Sequence, residues 1–505
     1  MNRANSFFFL GRQRLLWPAI AAFCIASAAN MSHGELTVIE DAEGQQGYTI
    51  FKMTVTPAAE PAPALKHRLT LRERELKPGN AATHYSRAFP EGGVVAVWKR
   101  IEKEHGLDEP YRWYAQTTPI DQVPLEKARP AAARFQDIID NFVAPGSERI
   151  DCDWGHGIIT ELRGPDIYGF RLPEIQSMRA ISRALMLMTR VAVADRDYAQ
   201  AIDLLRMNYR LGENVAKSPF IVSGLVGIAI CSLGNAATID LIAAPDSPNL
   251  YWALAELPRP LVDFRTAIRH ELSFNVAIFP FMDSPETARH SPQQWTDLLA
   301  EGLRSLETLD GGRPKLDELQ SQAAAAGLAL AAYPAAKQRL VDSGMDAAAV
   351  DAMPVGQVLA IDAAREFRRI ADEMEKWWYV PFAQANYAAI DFESAIDGNP
   401  FDVSFAKAAA QVMLPAFQAA RKAEMRLLWQ LNGLQTIEAL RMHAAKTGQL
   451  PASLDEITIV PLPMNPTTGK PYQYRLDGET AILDLPFSDG VGRDAWRFEI
   501  KLAKP

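Results

Sequence analysis

The chain has 505 residues, with 52 Lys and Arg against 61 Asp and Glu, for a formal net charge of -9. That balance repels nucleic-acid phosphates and anionic lipid headgroups, so neither is an expected partner. A hydrophobic content of 48% is ordinary for a globular chain, and the length suits about two or three domains.

The first thirty residues carry Arg3, Arg12 and Arg14 and no acid, then an apolar run over residues 15–29, then the small residues Ala26-Ser27-Ala28. This is the pattern of a signal peptide over 1–29 with cleavage at Ala28, which places the mature chain in the periplasm or outside the cell. The alternative is an uncleaved inner-membrane anchor, the one route by which a membrane enters this reading. The run holds Pro18 and falls short of the roughly 20 apolar residues of a spanning helix. Phe23 before Cys24 does not suit a lipoprotein cleavage site. Loss of the three arginines takes the net charge to about -12.

Residues 30–150 read as an extended N-terminal region with short helices. Leu36-Thr37-Val38-Ile39 has strand character, Pro57, Pro61 and Pro63 interrupt regular structure, and residues 136–142 suit a helix.

A helical domain is expected over 151–420. Met178, Ile181, Leu185, Met188 and Ala192 follow helical spacing, Asp195-Arg196-Asp197 makes a turn, and Tyr198, Ile202, Leu205 and Tyr209 form the next stripe. Together they describe a helical hairpin of tetratricopeptide-like form. Residues 220–233 are almost wholly apolar, and the following Asn235 and Asp240 make this a buried core helix rather than a membrane span. Pro258 and Pro260 open a helix through Phe264, Ile268 and Leu272. An alanine-rich helix is expected from Leu316 to Tyr333, with Pro334 as a point where one helix stops and another starts.

The last segment, 421–505, changes character. Leu427, Leu431, Leu434, Ile437, Leu440 and Ala444 make a helix that Gly448 and Pro451 end. Alternation at Tyr472, Tyr474 and Leu476, the turn Asp477-Gly478, the run Ala481-Ile482-Leu483, and alternation at Trp496, Phe498, Ile500 and Leu502 predict a three-stranded antiparallel meander. The fold class is therefore mainly α, a helical-hairpin body with a small C-terminal α+β module.

Gly448-Gln449-Leu450-Pro451, Asn465-Pro466, Gly469-Lys470-Pro471-Tyr472 and Ser488-Asp489-Gly490 occur in this order through the tail. With them, residues 431–496 resemble the C-terminal globular part of type II secretion major pseudopilins. The resemblance implies a calcium-associated loop over 488–494, in which Asp489 and Asp494 offer hard carboxylate oxygens. A glycine-rich turn joining two strands is the alternative. Cys152-Asp153-Trp154-Gly155, residues 185–205 and Lys376-Trp377-Trp378 resemble a set of uncharacterised exported bacterial proteins.

Four groups carry candidate chemistry. Asp151-Cys152-Asp153-Trp154-Gly155-His156 is dense in metal-ligating types, but neighbouring side chains in extended chain diverge, so a turn with Trp154 docked on the helical body is the expectation beside a metal site. Arg269-His270-Glu271 reads as helix-surface charge, with an acid or base at His270 and Glu271 as the alternative. Trp377, Trp378 and Tyr379 offer a ligand surface or cover a core. Cys152 and Cys231 are either buried thiols or a disulfide pair.

No P-loop, nucleophile elbow, dinucleotide fingerprint or paired C-x-x-C is present. The expectation is a non-catalytic extracytoplasmic scaffold or interaction protein with a protein partner in the envelope and no cofactor other than the calcium. The alternative is an exported hydrolase that uses carboxylates in a helical cleft.

Overall fold

The computed structural model describes residues 48–503, apart from 91, 116–117, 119, 157–171, 173, 310–316, 385–404 and 488–494. Ala28, the strand expected at Leu36 to Ile39, and the loop with Asp489 and Asp494 lie outside the described residues.

The protein is mainly helical, with a small sheet built from both ends of the described chain. Strand β1 (Tyr48–Val55) leads into irregular chain and short helices, of which α1 (Val94–His105) is the longest. The body follows as α2 (Glu174–Ala194), α3 (Tyr198–Ala216), α4 (Ile221–Ala243), α5 (Arg265–Ile278), α6 (Pro292–Leu309), α7 (Glu318–Asp342) and α8 (Val355–Glu375). Helix α9 (Phe405–Thr447) then runs for 43 residues into the terminal strands.

Helix α4 is the axis of the body. It is apolar on all sides because α2, α3, α5 and α9 pack around it. It is long and apolar enough to cross a membrane by length and composition, and most of it is buried inside the protein. Its approach to α3 is set by glycine: a Cβ at Gly227 would stand 2.6 Å from the Gly212 carbonyl oxygen, and one at Gly212 would stand 2.4 Å from Cys231 Sγ. Only hydrogen at both positions lets the two backbones come this close.

The polar groups that the seam buries are matched to one another. Ser182 Oγ donates to Asn208 Oδ1 at 2.7 Å, Asn208 Nδ2 to the Ile230 carbonyl at 2.8 Å, and Tyr209 Oη to Asn235 Oδ1 at 2.8 Å. Asp240, the one charged residue of α4, meets Arg190 of α2 at 3.0 Å. Arg190 also donates to the carbonyls of Trp113, Ala115 and Thr118, so one guanidinium ties the N-terminal region to the axis. Burial raises the Asp240 carboxyl, and Arg190 opposes that rise.

Strands β2 (Lys77–Asn80) and β3 (Arg149–Asp151) pair apart from the principal sheet, which has the order β1-β6-β5-β4, with β4 at Gln473–Asp477, β5 at Thr480–Leu485 and β6 at Ala495–Leu502. The last three strands pair antiparallel in succession. Strand β1 adds to β6 in parallel, from Tyr48 opposite Ala495 to Val55 opposite Leu502. The fourth strand thus comes from the region expected to lie extended over the body, with the whole helical body as its crossover. Alternate residues of this mixed sheet, including Phe51, Met53, Leu483, Phe498 and Ile500, enter one continuous core with α9.

Two elements join the last segment to the rest of the described chain. Residue 421 falls inside α9, so the terminal module shares its helix with the body and takes its outermost parallel strand from residues 48–55. Arg441, fully buried on α9, holds that strand's exit: it donates to the carbonyls of Thr56 and Ser247 while its partner Glu438 accepts from the Leu250 backbone.

Helix α7 also departs from expectation. It runs through Pro334 to Asp342 instead of ending there. Proline removes one intrahelical hydrogen bond, to the carbonyl four residues back at Leu330. Pro334 and Leu330 are both exposed, so water meets the freed carbonyl and the helix continues.

Candidate functional site

The turn Ser218-Pro219-Phe220, between α3 and α4, gathers a set of buried acid and base groups. His156 Nδ1 lies 2.9 Å from Ser218 Oγ, and its Nε2 lies 3.1 Å from Glu174 Oε1 at the start of α2. The Nε2 contact with Glu174 is one of ion-pair distance, while Nδ1 and the Ser218 hydroxyl share a hydrogen bond. Three residues after Ser218, Glu271 Oε1 accepts from the Ile221 backbone N–H at 2.7 Å. Burial pushes the Glu271 carboxyl up to about 7. Phe220 packs on the His156 ring at 5.6 Å and on Phe274 of α5 at 6.0 Å, so the two polar sites flank one aromatic side chain.

A hydroxyl, an imidazole and a carboxylate in line are the parts of a nucleophile relay. Ser218 is 4% exposed and His156 8%, so both are buried. Glu271 does the work of a helix cap: Phe220, the residue before α4, has no side-chain cap to give, and the first N–H of the helix is satisfied by a carboxylate from α5. Glu271 is therefore no surface charge, in contrast to the expectation for Arg269-His270-Glu271. Its neighbour Arg269 does lie at the surface, bonded to Glu375 and to Tyr379 Oη, each at 2.9 Å.

The aromatic group at the end of α8 is divided by its backbone. Residues Lys376–Tyr379 form a 3₁₀ turn, where consecutive side chains point about 120° apart. Trp378 turns inward against Phe264 and beneath the Arg421 guanidinium, Trp377 is half-buried under Lys376, and Tyr379 is exposed. Three rings do not share one face. Glu424, paired with Arg421 at 2.6 Å, is held up at about 7 by burial.

Around residue 151 the chain forms a turn pinned by Asn80, whose side chain bonds the backbone of Asp153 in both directions. Trp154 donates to the Asn214 carbonyl at 2.8 Å and stacks on Tyr85. Cys152 and Cys231 are both buried and free, and burial pushes the Cys152 thiol up to about 12. Among the described residues, no three His, Cys, Asp or Glu side chains converge as a metal site. No family model, no curated protein and no solved structure matches the chain.

A second candidate lies on the surface. Helix α7 packs between α6 and α8 with Ala325, Ala336 and Leu340, and among the described residues its outer side is uncovered. That side reads Leu319, Ala323, Ala326, Gly327, Leu330, Ala331, Pro334 and Ala335, all exposed, at spacings of three and four. Leu319 is 76% and Leu330 77% exposed, the two highest values among large apolar side chains of the described residues. No charged residue occurs between Glu318 and Lys337. Sequence reasoning finds the alanine-rich helix but has no signal for its outer face, because the pattern is apolar on both sides.

Proposed function

We propose that this chain is a non-catalytic interaction or scaffold protein of the bacterial cell envelope. It is exported by its N-terminal segment and carries a pseudopilin-like module behind a body of tetratricopeptide-like hairpins. The observation that carries the reading is the uncovered, charge-free face of α7, since contiguous exposed apolar surface on a globular protein marks a site where another surface docks. The module's part in the proposal rests on the tail motifs and on the order of a long helix, a glycine stop at Gly448 and antiparallel strands. Its loop with Asp489 and Asp494 is the proposed calcium position; calorimetric titration of the full chain against its Asp489→Ala variant tests it, and no heat at millimolar calcium removes it.

The interaction reading is tested by placing a photoreactive side chain at position 330 in the producing cells. Expected are crosslinked species above the monomer in the envelope fraction. A chain that stays monomeric on irradiation, or that sits in the cytoplasm, overturns it.

The rival reading, an exported hydrolase, draws on the cluster of Ser218, His156, Glu174 and Glu271. The burial of Ser218 and His156 weighs against it. A panel of ester and peptide substrates with Ser218→Ala as control separates the two: turnover lost in the variant with an unchanged melting temperature favours the hydrolase.

A further inference from the structure

The structure assigns a partner to the exposed face of α7: we infer that two copies of this chain pair antiparallel through α7, on a two-fold axis at Gly327. The inference rests on the interaction reading above and names its partner.

A two-fold contact must be self-complementary, each residue meeting a counterpart that meets it in return. The exposed series has that property about Gly327. Leu319 stands opposite the second copy's Ala335, Ala323 opposite its Ala331, and Leu330 enters the space between its Ala323 and Gly327. Gly327 itself has open space where a Cβ would be, so among the described residues nothing blocks close approach at the axis. Small residues in the middle with one leucine toward each side give the knobs and recesses that a close helix pair needs.

Charge selects the orientation. Asp317 and Glu318 open the helix, while Lys337 and Arg339 lie near its end. Antiparallel pairing sets Asp317 against the second copy's Lys337, whose ammonium also holds Asp351. It opposes the two helix dipoles as well. Parallel pairing would set acid against acid. Over the rest of a chain with net charge -9, two copies repel, and the 18 uncharged residues between Glu318 and Lys337 are where they can touch.

The face is about 24 Å long at 1.5 Å per residue and about 10 Å wide. That is well below the roughly 800 Å² per partner of a standard stable interface, so the dimer forms and dissociates readily.

Sedimentation of the full chain from low micromolar to roughly millimolar concentration is expected to raise the weight-average mass toward twice the monomer. Leu330→Glu holds it at the monomer while leaving the circular dichroism spectrum unchanged, because the residue makes no core contact. In a Cys24→Ser background, Gly327→Cys forms an interchain disulfide under mild oxidation. Ala323→Cys alone does not, since its copies lie about 12 Å apart along the pair, beyond disulfide reach. Ala323→Cys with Ala331→Cys restores the crosslink. A chain that remains monomeric throughout, or that crosslinks equally at 323 and 327, overturns the inference. Monomer in sedimentation together with crosslinking of position 330 to a different envelope protein overturns self-pairing alone; monomer with no crosslink at 330 overturns the interaction reading too.

Discussion

Helices α4 and α7 are both rich in small and apolar residues, Ile and Ala leading in α4 and Ala and Leu in α7, and each has a long uncharged run. Yet α4 is enclosed by four helices, while α7 meets α6, α8 and the short helix Ala347–Asp351 and is bare on its outer side among the described residues. Composition states that a helix can be buried, whereas its place in the chain's packing decides whether its own neighbours do the burying. The difference is measurable, because equivalent changes in the two helices have opposite or unequal effects.

The largest effect is expected at the ion pair of the axis. Arg190→Ala leaves Asp240 of α4 buried without its cation and removes the donor to three carbonyls, which costs about 3–5 kcal/mol. Its counterpart on α7, Lys337→Ala, breaks a surface pair with Asp351 and leaves the denaturation midpoint where it was. Urea unfolding of both variants checks this, and equal losses would refute the assignment of α4 as the enclosed helix.

The next effect is a pH dependence at the start of α4. Burial raises the Glu271 carboxyl from 4.5 to about 7. The folded chain therefore holds this proton more tightly than the unfolded chain. Stability from the group is complete below about pH 4.5 and is lost as pH rises through about 7. Glu271→Gln removes on the order of 2–3 kcal/mol of that fall. Glu424, raised to about 7 by burial despite Arg421, keeps a residual slope in the same window. Unfolding free energies between pH 4 and 8 give the answer, and an unchanged slope in the variant would place Glu271 in water.

The smaller effects come from one substitution made twice. Gly227→Ala drives a methyl group to 2.6 Å from the Gly212 carbonyl oxygen and costs about 1–3 kcal/mol. Gly327→Ala meets nothing within 4 Å and stabilises α7 by about 0.5–1 kcal/mol through helix propensity. Thermal melting compares the two. If both destabilise, α7 has a covered outer face and the contrast between the helices fails.

Much of the helical body is legible locally. The stripes Met178 to Ala192 and Tyr198 to Tyr209 lie in α2 and α3, and the apolar run from residue 220 is a buried helix with Asp240 on it. What local reading misses is long-range. Glu271 looks like a surface charge because its helix is amphipathic, but the N–H it satisfies is 50 residues away in sequence. His156 stands out as a ligand type, while Ser218 and Glu174 have no motif that ties them to it. Pro334 reads as a stop because steric rules hold for isolated helices, and solvent on the outer side of α7 relaxes them.

The sequence by itself determined that the protein is mainly helical, where most long helices lie, and that one of them is apolar enough to be enclosed, because side-chain periodicity is a local property of 3.6 residues per turn. Only the tertiary structure decided that residues 48–55 complete the terminal sheet, that Glu271 caps a helix from a distance, and that α7 keeps an apolar face in water. These depend on which distant segments meet, and contact between segments far apart in the chain leaves no period in either one.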